Sequence, residues 1–204
     1  MAALASLAGA RPARAASPEL RVLTHSSFNL PKALLAEFER SAGVRLLLVK
    51  GGDAGEMLNK LILTRARPIA DVVFGIDNAL WHKAQAAQVV DAYDGPAARR
   101  TAVAEVGAGV VPVTYGFVNL NADKAWLARE KRSVPTNLLE LTRPEWAGKL
   151  VVPNPATSSP GLAFLLATVG GLGEEAAFAW WAQMRANGLK VVKGWSEAYY
   201  TEFS

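Results

Sequence analysis

An α/β fold is what this sequence predicts, and three observations carry the prediction. From Pro18 onward, short apolar runs rich in Val, Leu and Ile alternate with amphipathic stretches of helical spacing. Glycine, hydroxyl and acidic residues follow several of the short runs, as expected of loops collected at the carboxyl edge of a parallel sheet. At 204 residues, with 51% hydrophobic and 20% charged side chains, the chain can bury one good core or two small ones.

The elements follow in order. Leu20-Arg-Val-Leu-Thr24 reads as the first strand, and residues 30–40 as a helix with Leu30, Leu34, Leu35 and Phe38 on one face. A second strand at 44–49 leads to a helix over 55–64, where Met57, Leu58, Leu61 and Ile62 fall at helical spacing. The third strand spans 70–75, and Asp77 is placed to cap a helix over 78–88. Composition changes near 106. Residues 107–119 mix strand formers with Gly and Pro, as a segment crossing between two lobes would. A second α/β pattern follows: a helix around 137–141, a strand at 149–152, helices from Pro160 and over 173–187, a strand at 189–192 and a helix from Ser196. The expected organisation is a leader over 1–18, a first lobe over 19–110, and a crossing segment with a partial second lobe over 111–204. The last helix is entered only at Ser196, and Trp195, Tyr199, Tyr200 and Phe203 meet no later partner in the sequence. That pattern suits a C-terminally shortened chain, or else a short helix docked on an existing core.

Composition excludes several classes. The net charge is +4, and the Lys and Arg residues are scattered, whereas nucleic-acid binding calls for a dense basic stripe. The absence of cysteine removes disulfide frameworks and thiolate metal sites. No window has the continuous apolar length of a membrane span. The Ala-rich start ends in Ala13-Arg-Ala-Ala16, which is similar to the small-residue end of a secretory signal, although Arg11 and Arg14 lie unusually close to it. His25 and His82 are far apart and have no acid at metal-ligand spacing. Nucleophile elbows, Walker loops and dinucleotide fingerprints do not occur. Glu174-Glu175 reads as the acidic first turn of a helix.

The richest stretch is 150–167. Val151 and Val152 close a strand, Ser158 or Ser159 can cap the next helix, and Pro160 suits its first position. Such a terminus is either an ordinary capped helix or a seat for a phosphate or carboxylate, favoured by unpaired N–H groups and the helix dipole. Other chemistry-bearing clusters sit at strand ends: His25-Ser-Ser-Phe28, Gly51-Gly-Asp-Ala54, Asp77-Asn78 and Trp195-Ser196. Acids and aromatics can hold a cation, and hydroxyls at a helix start can hold an anion.

In order, Leu-Thr-His-Ser-Ser-Phe (23–28), Gly-Gly-Asp-Ala-Gly-Glu-Met-Leu-Asn-Lys-Leu (51–61), Ala-Asp-Val-Val-Phe-Gly-Ile-Asp-Asn (70–78), Val-Pro-Val-Thr-Tyr-Gly-Phe (111–117), Asn-Pro-Ala-Thr-Ser-Ser-Pro-Gly-Leu (154–162) and Lys-Gly-Trp-Ser-Glu-Ala-Tyr (193–199) resemble the periplasmic thiamine-binding proteins of bacterial ABC importers. The resemblance implies a two-lobed periplasmic-binding-protein fold of type II, with its second lobe incomplete. It also implies a periplasmic, non-enzymatic protein whose cleft closes on thiamine or its phosphates and delivers them to permease subunits at the inner membrane. Neither a cofactor nor nucleic acid takes part in such a function. Carried over by position, Asp53 and Ala54 stand at an acid–glycine ligand contact, Ser158 and Ser159 at a hydroxyl pair, and Trp195 beside the thiazolium. His25 stands where tyrosine is usual, and Tyr199 closes the last motif as a further ligand-binding residue. Two departures from the family pattern are His25 and Ala54; a third is that the family chain continues further, adding aromatic contacts. The alternatives are a binding protein for ferric iron or a polyamine, and an α/β enzyme acting on a phosphorylated small molecule. Adjacent Tyr199 and Tyr200 would diverge by about 100° on a helix, a poor geometry for chelating iron.

Overall fold

The computed structural model describes residues 17–99 and 110–203, so the expected leader lies almost wholly outside the described residues, as do positions 107–109 of the crossing segment. Strand β1 (Glu19–Thr24) is central in a parallel sheet, between β2 (Arg45–Lys50) and β3 (Val72–Phe74). Leu23 pairs in register with Val49 on one side and Val73 on the other, which buries Leu23 and Thr24 completely. A central parallel strand is covered on both faces; here Glu19, Leu20, Arg21 and Val22 still alternate, and full burial is reached only at Leu23 and Thr24.

Three helices follow these strands. Helix α1 (Lys32–Ala42) stops at Gly43, whose φ of 66° is the left-handed conformation glycine adopts without a steric penalty. Its apolar stripe is only partly covered, with Leu34 and Phe38 still 49% and 44% exposed. Helix α2 (Ala54–Leu63) buries Ala54, Met57 and Leu58, and α3 (Asn78–Ala86) begins where the Asp77 carboxylate accepts the Leu80 N–H at 2.9 Å. Ala54, Leu58, Leu80, Trp81 and Ala84 form the first core.

The second α/β unit has its own core. Strands β4 (Val151–Pro153) and β5 (Lys190–Val192) pair in parallel, and α5 (Ser159–Leu172) and α6 (Glu174–Ala186) pack against each other. Leu141, Trp180 and Met184 fill this core, with Trp146 and Phe164 against them. The buried Trp180 indole donates to the Leu138 carbonyl at 2.8 Å, as an indole N–H in an apolar core must find an acceptor. A Cβ on Gly161 would lie 2.2 Å from the Pro153 oxygen, so only glycine lets α5 begin directly on the end of β4. Val110 and Leu162 pack against the first core, so α5 also touches the first unit.

Residues 110–123, within the stretch read as a crossing segment, form neither strand nor helix: their strand-forming side chains have no neighbouring strand to pair with. The structure departs from the sequence reading at several places. The helix expected at 137–141 is a 3-10 turn, Leu138–Thr142, started by Asn137 accepting the Glu140 N–H. Ser158 is the residue before α5 and Ser159 its first residue, so Pro160 occupies the second position rather than the first. The last helix begins at Trp195 and widens into a π-helix over Ala198–Glu202. One helix was not expected at all: α4 (Lys124–Arg129), capped by Asp123 accepting from Ala125 and Trp126. The basic cluster around it partly dissolves into packing, since the Arg132 guanidinium sits 5.6 Å from each of the Trp126 and Trp146 rings.

Candidate functional site

The carboxyl edges of the two sheets meet. The loop after β2 carries Asp53 to the start of α2, and the loop after β5 carries Trp195 to the start of the last helix. One Asp53 oxygen accepts the Ala54 N–H at 3.2 Å, and the other accepts the Trp195 N–H at 3.0 Å from 142 residues away. Asp53 is therefore both the N-cap of α2 and a bridge to the second unit. Two glycines allow the approach. A Cβ on Gly194 would fall 2.6 Å from the Asp53 carboxylate, and one on Gly55 would fall 2.8 Å from the Ala156 oxygen.

Around this junction the other residues are held in different ways. His25 follows β1 and is half-buried between Phe28, edge-on at 6.4 Å, and Phe74 at 6.1 Å. Burial pushes its imidazole below the ordinary value; the Asp53 charge pulls the other way, and the Lys50 charge adds to the lowering. Ala54 is 3% exposed and its methyl lies in the first core, so any contact it makes with a solute must use its backbone. The Trp195 indole is half-buried and stacks on Tyr199 at 5.1 Å with the rings 7° apart. The Tyr199 and Tyr200 rings do not point apart as their adjacency suggested; they meet edge to face, with centroids 5.5 Å apart and planes at 85°.

Thr157 leads into the serine pair and is tied firmly. Its hydroxyl donates to the Lys193 carbonyl at 2.6 Å, and Asn154 accepts the Ala156 N–H at 2.9 Å to shape the turn. Ser158 comes next, 1% exposed, and its hydroxyl has no hydrogen-bond partner among the described residues. A buried hydroxyl without a partner costs about 1–3 kcal/mol, which makes this position anomalous for a mere helix cap. It faces the start of a 14-residue helix whose first N–H groups lack intrahelical acceptors. Ser159 is half-buried beside it.

The sequence therefore named Asp53 and Trp195, which the fold brings into contact, and Ser158, adjacent to that contact. It missed Glu56 and Lys193. Lys193 lies 3.0 Å from Glu56, and the Thr157 carbonyl accepts the Gly55 and Glu56 N–H groups at 3.0 and 3.2 Å. A usable signal existed, because Glu56 and Lys193 are opposite charges inside two of the quoted motifs. Trp195 and Tyr199 also line a groove of about 590 Å³ with Trp126, Trp146 and Phe164, and this groove includes none of Asp53, His25 or Ser158.

Known proteins share both the sequence and the arrangement. The thiamine-binding periplasmic protein of Escherichia coli (strain K12) is 33% identical over 195 residues, covering 90% of this chain and 56% of that protein. That of Brucella abortus biovar 1 (strain 9-941) is 30% identical over 206 residues, covering 96% and 59%. A solved structure, a periplasmic thiamin binding protein, superposes with a TM-score of 0.71 at 29% identity, covering 92% of this chain and 59% of that one. The chain thus spans little more than half the length of these relatives. The family model of bacterial extracellular solute-binding proteins matches residues 67–199, from the approach to β3 through the Trp195–Tyr199 stack. By that match and by its fold, the chain belongs to the bacterial extracellular solute-binding proteins.

Proposed function

We propose that this chain is the periplasmic solute-binding component of an ABC importer, taking thiamine or a thiamine phosphate between lobes at 19–110 and 111–204 and handing it to a membrane permease. The observation that carries this reading is the hydrogen bond from the Trp195 backbone N–H to Asp53, which brings a carboxylate of one unit to the residue that bears an indole in the other. A planar aromatic cation needs both partners: a negative charge to offset its own, and a ring face to lie against. Asp53 supplies the charge, Trp195 the face, and Tyr199 supports the indole from behind. Ser158 and Ser159, at the start of α5, take the hydroxyl or phosphate end. His25 and the Ala54 backbone line the first-unit side. The solute is cargo; no bond is made or broken and no cofactor takes part. The relatives named as thiamine-binding support the choice of cation.

Calorimetry and tryptophan fluorescence with thiamine, thiamine phosphate, spermidine and ferric citrate test the reading. Thiamine should bind at micromolar concentration or below, and Trp195→Ala should weaken it roughly two- to thirtyfold, the range of one cation–π contact. Ser158→Ala should affect the phosphate ester more than thiamine itself. Binding of spermidine or ferric citrate without binding of thiamine would overturn the proposal.

A further inference from the structure

We infer that Glu56, Lys193 and the Thr157 carbonyl form a latch that holds the two α/β units closed over the Asp53–Trp195 junction, fixing how long a bound solute stays without touching it. The inference rests on the binding role proposed above, and it concerns residues to which that role assigns nothing. Two kinds of contact cross between the units. One is apolar: Leu162 of α5 packs on the core of α2 and α3. The other is polar and concentrated within a few residues. The Glu56 carboxylate is paired with Lys60 on its own helix at 3.1 Å and with Lys193 of the second unit at 3.0 Å. Lys60 orients the carboxylate, and Lys193 uses it.

The geometry of the Thr157 carbonyl supports the same role. A helix N-terminus presents unpaired N–H groups that can receive an anion. At α2 these groups, from Gly55 and Glu56, are already given to Thr157 at 3.0 and 3.2 Å, so this terminus serves closure and not the solute. The Thr157 hydroxyl is bonded to the Lys193 carbonyl at 2.6 Å, which makes carbonyl and ammonium two prongs of one corner. Gly55 is required where the prongs enter, because its Cβ would meet the Ala156 oxygen at 2.8 Å and the Thr157 carbonyl carbon at 2.9 Å. The Lys193 ammonium, followed by that of Lys60, holds the Glu56 carboxyl below its ordinary range, so the pair is charged at neutral pH.

The chain has no cysteine, so Leu63→Cys and Phe178→Cys, at exposed positions of α2 and α6, give two unique sites for spin labels. Their distance distribution should lengthen or broaden in Lys193→Met and in Gly55→Ala, and Lys193→Arg should keep the parent distribution. Thiamine release, followed by stopped-flow fluorescence, should quicken about tenfold in Gly55→Ala, the equivalent of losing two hydrogen bonds. Lys193→Met, at a largely exposed side chain, guards against a variant that merely fails to fold. If both variants give the parent distribution, the latch does not exist. Shifted distances in a chain that ignores thiamine would keep the latch and remove the proposed ligand.

Discussion

At the scale of single residues, His25 is the position where charge and burial conflict most clearly. Packing between Phe28 and Phe74 favours the neutral imidazole, so the unfolded chain takes up a proton more readily than the folded one. The sign follows from linkage: the stability this packing contributes is complete above about pH 6.5 and is lost as pH falls through the lower folded value. Urea midpoints compared at about pH 7.5 and about pH 5 should drop less in His25→Gln than in the parent, and equal drops would contradict the assignment. Sequence alone identified His25 as a strand-end residue but could not give its protonation, which depends on Phe74 from a different strand. Ser158 shows the same limit, since the missing partner of its hydroxyl is visible only once its burial is known.

Among the elements, legibility followed length and periodicity. Helices α2 and α6 were recovered within about two residues of their expected limits, and α5 within one residue of its expected start, because each combines an apolar run with a clear start or stop. Helix α4 was overlooked because six residues carry too little periodicity, and its Lys and Arg residues drew attention as charge. Asp123 was the signal available, as an N-cap immediately before the helix. Helix α5 supports an internal comparison of two glycines. Gly161→Ala should destabilise the chain by about 1–3 kcal/mol, because its Cβ collides with the Pro153 carbonyl. Gly170→Ala meets nothing within 4 Å and should be neutral or stabilising by up to about 1 kcal/mol. Chemical denaturation of both variants decides it, and similar losses would show that the contact at Gly161 is not the cause.

For the whole molecule, two cores joined by a narrow interface imply two units of separable stability. The first surrounds Leu58 and Trp81, the second Trp180 and Met184. Trp180→Ala should cost the second unit about 3–5 kcal/mol. Hydrogen exchange should then accelerate in α6 and around Leu138 while α2 and α3 keep their protection, and uniform acceleration would mean a single cooperative body. The α/β class was readable from alternating apolar runs, since parallel sheets impose that alternation directly. The joining of the units was not readable. It depends on a lysine, a glutamate and a backbone carbonyl whose proximity arises only when both sheets are built.

The stack of Tyr199 on Trp195 continues to Phe203, 5.8 Å from Tyr199 and inclined by 25°, so three rings form one column. One side of the indole is therefore already taken by the protein's own aromatic ring. On the proposed reading, a flat solute that stacks on Trp195 is denied the side Tyr199 occupies, and the column sets its plane before any polar group engages, which turns a contact of weak directionality into an alignment device.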